Sequence, residues 1–102
     1  MQIIFDSAVA EELKARYTVL ELETFVTADK NLTAYCVVPA DKIPLTEFAL
    51  LNAHTQLHDA FVVAAKESNQ QLCVDIAEHL LGKFGGELDS FYNEVLGRFT
   101  PT

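Results

Sequence analysis

The segment from Pro44 to Lys66 constrains the fold more than any other part of the chain, because it has helix-forming character throughout. Pro44 suits a first helical position, where its missing N–H costs nothing and its fixed φ fits the helix. Wound at about 100° per residue, the segment is apolar most of the way round, as is typical of a helix that packs on more than one side. The predicted buried stripe contains Leu50, Ala53, His54, Leu57, Phe61, Ala64 and Ala65, with Leu51, His58 and Val62 on its shoulder. We therefore predict a central helix over residues 44–66, in the core or at an interface.

Two segments before this helix, residues 18–26 and 32–38, predict a β-hairpin. Leu20 and Leu22 alternate with Glu21 and Glu23, which is the period of a half-buried strand. The residues between the segments include Asp and Asn, which favour turns. The register that gathers the small and aliphatic side chains on one face pairs Val26 with Leu32, Thr24 with Ala34, Leu22 with Cys36 and Leu20 with Val38.

The opposite face of the predicted hairpin is a candidate interface. It carries Glu21, Glu23, Phe25, Tyr35 and Val37, a mixture that is too apolar for bulk water and too charged for a core. An ordinary amphipathic exposed face is the alternative, and the sequence favours neither.

A further strand and a short helix are predicted before the hairpin. Residues 2–5 are an apolar run too brief for a helix, and residues 8–17 have one apolar stripe. The connection is long enough for a crossover, so the first strand is expected to run parallel to a hairpin strand, with a right-handed connection. Pro39 ends the hairpin because it cannot donate to a ladder.

Two more helices are predicted after the central one. Ser68 and Gln71 have the spacing of a capping box, which starts a helix, and Gly85-Gly86 ends that helix. The last helix begins near Glu87, where carboxylates favour the first turn.

These elements predict one domain over residues 1–102, long enough to bury its own core. The expected fold is α+β: a small three-stranded mixed sheet in the order β-α-β-β, followed by three α-helices packed on one face of the sheet. Apolar residues make up 50% of the chain, slightly more than so small a body can bury. We therefore expect a homodimer, formed through the outer sheet face or the apolar flanks of the last helices.

His54 and His58 are the best candidates for metal ligands, since side chains four residues apart on a helix can hold one ion. Glu78 and His79 would join them if the next helix folds back antiparallel, and the set would bind one divalent transition metal. The zincin mechanism is excluded because Thr55 stands where its general-base Glu is needed. The alternative is that His54 is a hydrogen-bonded core histidine, that His58 borders an interface and that the other two are solvated.

Charge and cysteine content exclude several classes of protein. The net charge is −8 and the seven basic residues are scattered, so we expect neither direct nucleic-acid binding nor attachment to an anionic membrane. No apolar stretch approaches the roughly 20 residues that span a bilayer, and residues 1–6 do not resemble a signal peptide. Cys36 and Cys73 lie far apart in apolar patterns, which predicts buried thiols in a reducing cytoplasm.

No motif identifies a reaction, and no cofactor is expected. The leading expectation is a non-catalytic cytoplasmic protein-interaction module of the inhibitor, immunity, antitoxin or adaptor type, homodimeric, whose acidity attracts a basic protein partner. One alternative is a metal-binding protein or metal-dependent enzyme that uses His54 and His58. The other is a protein with a pocket for a small apolar ligand between the sheet and the helices.

Overall fold

The computed structural model describes residues 2–99, which form a three-stranded antiparallel sheet with helices on both sides. The strands are β1 (Gln2–Ile4), β2 (Thr18–Val26) and β3 (Asn31–Val38). Their order in the sheet is β1-β3-β2, so β3 is central and the other two strands are edges. The expected α+β class is confirmed.

The helices of the described residues are of unequal length. They are α1 (Ser7–Leu13), α2 (Leu45–Phe48), α3 (Leu51–Lys66), α4 (Gln70–Leu80) and α5 (Asp89–Arg98), with one-turn 3-10 helices at Ala40–Lys42 and Phe84–Gly86. Over the range that the structure describes, no helix combines the length and the apolar character needed to cross a membrane.

The sheet is antiparallel, so the prediction of a mixed sheet is wrong. Both β1 and β2 pair with β3 in antiparallel fashion. The crossover through α1 does make β1 and β2 run in the same direction, but β3 lies between them. The two strands with parallel directions are therefore not neighbours, which the length of the connection alone could not show.

A β-bulge in β2 changes the predicted register of the hairpin. Near the turn Val26 pairs with Asn31 and Thr24 with Thr33, whereas near the other end Leu20 pairs with Cys36. Between these ends β2 contains one residue more than β3. A bulge of this kind reverses the alternation of side chains beyond it.

The core lies on one face of the sheet, which we call the inner face. Leu20, Ala34 and Cys36 are buried there with side chains of α3, α4 and α5. The opposite, outer face is covered in part by α1, whose Ala10 is buried. The sheet therefore separates α1 from the three long helices.

The predicted central helix is interrupted at residues 49–50. Pro44 is the N-cap of α2 rather than its first helical residue, and Leu50 is the N-cap of α3. The Glu47 carboxylate in α2 accepts a hydrogen bond from the backbone N–H of Phe84 at 3.1 Å, a tertiary contact that local sequence does not encode. The buried face of α3 is also rotated toward the predicted shoulder, because His58 and residues 61–62 are buried while residues 50 and 53 are exposed.

The helix after α3 begins one residue later and ends earlier than predicted. Its N-cap is Asn69, whose side chain accepts a hydrogen bond from the Leu72 N–H at 3.2 Å. The helix ends at Leu80, yet Phe84 in the following loop is fully buried. Gly85 holds this loop against the segment before α2, because a Cβ there would lie 2.1 Å from the carbonyl oxygen of Lys42.

Three glycine-to-alanine variants test this close approach. Gly85→Ala is expected to lower the free energy of unfolding by more than about 2 kcal/mol, because a φ of +68° is unfavourable for alanine and its Cβ meets the backbone. Gly82→Ala has a similar φ of +84° in open space and should cost only about 1–2 kcal/mol. Gly97→Ala, in an open helical position, should stabilise by up to about 1 kcal/mol. Urea unfolding measures all three, and equal losses for Gly85→Ala and Gly82→Ala would contradict the contact.

Candidate functional site

His58 lies in the middle of the core, and both of its ring nitrogens are hydrogen-bonded. Nε2 faces the backbone carbonyl of Glu21, and Nδ1 lies 2.8 Å from Oη of Tyr92. Because a carbonyl oxygen only accepts, Nε2 carries the proton and the Tyr92 hydroxyl donates to Nδ1. Burial lowers the pKa of His58, so the ring is neutral and has no lone pair left for a metal ion.

The bonds of His58 join three separate elements. Glu21 is in β2, His58 in α3 and Tyr92 in α5, and both ring side chains are fully buried. Burial also raises the pKa of the Tyr92 hydroxyl, which stays protonated and able to donate. The histidine is therefore a structural link between the sheet and two helices.

His54 lies one turn earlier on α3 in a different environment. It is 8% exposed, its ring meets the edge of Phe84 with the two ring centroids 6.3 Å apart, and its Nδ1 is a buried atom without a hydrogen-bond partner among the described residues. An orphaned polar atom of this kind carries a desolvation cost. Unlike His58, it does not link elements through hydrogen bonds at both nitrogens.

The structure does not bring the four predicted metal ligands together. Glu78 and His79 are exposed on α4, whose buried side consists of other residues. Residues 2–99 contain no group of three or more His, Cys, Asp or Glu side chains that could hold a metal ion. His54 and His58 are four residues apart because both lie on the buried face of α3.

Neither cysteine has the environment of a nucleophile. Cys36 and Cys73 are fully buried free thiols. Burial raises the pKa of Cys36 to about 11 and also raises that of Cys73. Both thiols are therefore protonated at neutral pH, and the thiolate needed for attack is absent.

Three of the five predicted interface residues lie on the outer face and are engaged there. Val37 is buried. The hydroxyl of Tyr35 donates to Oγ of Ser7 in α1 at 3.4 Å. The carboxylate of Glu21, which pairs with Tyr35 across the strands, binds the ammonium of Lys66 at 2.8 Å. Helix α1 thus covers part of the outer face, and Lys66 of α3 reaches Glu21 at the β2 edge of the sheet.

The other two predicted interface residues lie in the bulge (Glu23) or beyond it (Phe25), and they belong to a different surface. Glu23 reaches α5, where Arg98 binds its two carboxylate oxygens at 2.7 and 3.3 Å. Phe25 pairs with Leu32, on the same side of β3 as Ala34 and hence on the inner face. The five residues therefore do not form one continuous surface.

Phe25 belongs to an exposed apolar group at the end of the sheet. Ile3, Phe5 and Phe25 are 43%, 53% and 45% exposed and line one small cavity. The rings of Phe5 and Phe25 are in contact, with centroids 6.4 Å apart. We call these three residues the apolar patch.

A small cavity opens beside the apolar patch, between the inner face and α5. Its volume is about 160 Å³, close to that of a cavity that accepts one benzene-sized ring. The wall is mostly apolar and includes Ile3, Phe5, Leu22, Phe25, Ala34 and Phe91. Its polar rim is Glu23, Glu94 and Arg98, and the guanidinium of Arg98 also binds Glu94 at 3.2 Å.

A larger cleft lies along the β2 edge of the sheet and is lined by residues of α1, β2 and α3. Its volume is about 610 Å³ and its lining is mostly polar, with Glu11, Glu21 and Asp59 as acidic groups. Lys14 binds Glu11 at 2.8 Å, and this hydrogen bond raises the pKa of the lysine. The described lining of the cleft has no histidine or cysteine that could act as a base or nucleophile.

Comparison with known proteins yields no match, neither to a family model, nor to a curated protein, nor to a solved structure.

Sequence reasoning missed Ile3 and Phe5 as surface residues. The signal was present, because residues 2–5 are uncharged and apolar at the start of an acidic chain. The bulge that places Phe25 beside them has no signal in the sequence, because apolar and charged residues alternate regularly in β2 through residue 24.

Leucine substitutions of the two buried histidines should change stability by different amounts. His58→Leu leaves the Glu21 carbonyl and the Tyr92 hydroxyl without their partner, so we expect it to lower the free energy of unfolding by about 2–4 kcal/mol. His54→Leu removes an unpaired nitrogen and should change stability by less than about 1 kcal/mol. Urea unfolding followed by circular dichroism gives both values, and equal losses would contradict the assignment of His58 as the link.

The stability of the protein should fall as the pH drops through the weakly acidic range. The pKa of His58 is lowered in the folded state, so the unfolded state binds the proton first and the native state loses stability below about pH 6.5. The loss from this residue is at most about 1.4 kcal/mol per pH unit and stops below its folded pKa. Unfolding in urea between pH 5 and 7 measures the slope.

The histidine that causes the slope can be identified with two glutamine variants. His58→Gln should reduce the slope between pH 5 and 7, whereas His79→Gln, at an exposed position of α4, should leave it unchanged. A slope that survives His58→Gln would assign the titration to another group.

Proposed function

We propose that the protein is a non-catalytic interaction module that works in the cytoplasm as a homodimer and binds a basic protein partner. The observation that supports this best is the apolar patch with its adjoining cavity. Three large apolar side chains, Ile3, Phe5 and Phe25, lie exposed around one cavity at one end of the sheet. Contiguous exposed apolar groups rimmed by polar residues are characteristic of protein-binding sites.

The shape of the patch favours a protein over a small apolar ligand. Ligand pockets usually enclose roughly 300–1,000 Å³, and the cavity at the patch is about 160 Å³. It has room for one side chain, and a single aromatic or aliphatic anchor in such a pocket is typical of an interface hot spot. The exposed rings of Phe5 and Phe25 extend the apolar contact outside the cavity.

The charge of the chain favours a basic partner. The net charge is −8, and Lys14, Lys66 and Arg98 are already paired with carboxylates in the structure. At the rim of the cavity, Glu23 and Glu94 share the single charge of Arg98, which leaves an acidic excess beside the patch. Complementary charge steers association and discriminates between partners.

A pair of serine variants tests whether the patch binds a partner. Phe25→Ser removes an exposed ring of the patch, and Leu45→Ser removes an apolar side chain that is 85% exposed on α2, far from the patch in sequence. Quantitative pull-downs should identify a basic protein retained by the wild type and by Leu45→Ser. With both proteins purified, Phe25→Ser should raise the Kd by about tenfold or more.

Two outcomes would overturn the proposal. One is that no protein in the pull-downs depends on Phe25. The other is that binding by the purified partner is weakened as much by Leu45→Ser as by Phe25→Ser, since the patch would then contribute nothing particular.

A further inference from the structure

Strand β1 is a weakly protected edge of the sheet. Gln2–Ile4 pairs with β3 on one side only, and the backbone groups of residues 2–5 make no other hydrogen bond to the described residues. Monomeric proteins usually protect such edges with charged side chains, proline, a bulge or a very short edge strand. Residues 2–5 are Gln-Ile-Ile-Phe, and β1 pairs in regular register, so charge, proline and a bulge are absent and the short length of β1, three residues, is its protection.

The other edge of the sheet is protected. Strand β2 contains the bulge and alternating glutamates. Helix α3 packs against it, with His58 bound to the backbone carbonyl of Glu21 and Lys66 bound to its carboxylate. An incoming strand would therefore add at β1 and not at β2.

The charge distribution favours a second copy of the chain as the occupant of the β1 edge. Two chains of net charge −8 repel one another over most of their surfaces. Residues 2–5 carry no charge, so two copies can pair along this segment without a carboxylate inside it. Antiparallel pairing of a strand with itself also satisfies a two-fold axis, the commonest symmetry of homo-oligomers.

We propose that two copies pair β1 against β1 in antiparallel fashion and form a continuous six-stranded sheet. In an antiparallel pair, residues directly opposite each other point to the same face of the sheet. The two-fold axis therefore passes beside a residue that pairs with its own copy, either Ile3 or Ile4. Either register brings Ile3 and Phe5 of both copies together on the inner face, where the two apolar patches join. This inference rests on the proposed function, because it specifies how the proposed homodimer forms and places its contact beside the apolar patch.

Lysine substitution at the edge tests the pairing. Ile3→Lys places two like charges at the two-fold axis or near it and should weaken dimerisation by about tenfold or more. Leu45→Lys adds the same charge at an exposed site on α2 and should leave dimerisation unchanged. Sedimentation equilibrium across micromolar concentrations measures both, and circular dichroism checks that each variant is folded.

Cysteine variants test the register without weakening the contact. Ile3→Cys or Ile4→Cys should give an intermolecular disulfide under mild oxidation, because the residue at the axis faces its own copy within disulfide reach. Leu45→Cys is the exposed control, and the native Cys36 and Cys73 are buried and should not react. The proposal would be overturned if the wild type were a monomer at every concentration. It would also be overturned if Ile3→Lys did not weaken the dimer and the β1 cysteine variants cross-linked no faster than Leu45→Cys.

Failure of the pairing and failure of the proposed function give different results. A monomer that still binds a partner through Phe25 would overturn the β1 contact alone. A dimer that depends on Ile3, without any partner that depends on Phe25, would support the β1 contact and overturn partner binding.

Discussion

The hydrogen bonds of His58 are the constraint on which the arrangement of the sheet and the helices depends. A buried imidazole with one donor and one acceptor needs two complementary partners. The carbonyl of Glu21 and the hydroxyl of Tyr92 provide them, from residues 37 and 34 positions away in the chain. Apolar contacts tolerate small displacements of the helices, whereas these bonds set the position of α3 relative to both β2 and α5. Packing of Phe61 and Phe91 around the Tyr92 ring reinforces the same position.

The bulge in β2 determines which surface the end of the hairpin presents. Up to Glu21 the strand follows regular alternation, and after one extra residue Phe25 lies on the inner face. It lies beyond the helices there and meets Phe5 instead of a core residue. The same irregularity brings Glu23 within reach of Arg98 in α5. The apolar patch and its charged rim thus have one local cause, which also removes the glutamate and the phenylalanine from the outer face.

Local sequence patterns predicted the helices and strands of this chain better than they predicted the contacts between those elements. Alternation over residues 18–26 and the helical spacing of residues 51–66 depend on neighbours in sequence, and both elements are present. The antiparallel pairing of β1, the break before Leu51 and the environment of His58 depend on contacts between distant residues. The same limit applies to the metal hypothesis, because the spacing of His54 and His58 describes a helix face equally well whether that face holds an ion or fills a core. Only the partners of the two rings distinguish the cases.

The structure separates the groups that hold the fold from those that are available for binding. His58 and Tyr92 are fully buried between the sheet and the helices, while Ile3, Phe5 and Phe25 lie exposed at the β1 side and the turn end of the sheet. Exposed side chains that add little to the core can change without unfolding the protein. An apolar surface that the fold does not require, at an edge without protecting charges, is costly to expose to water unless another protein covers it. This is the strongest physical reason to regard the patch as a binding surface and not as a result of imperfect packing.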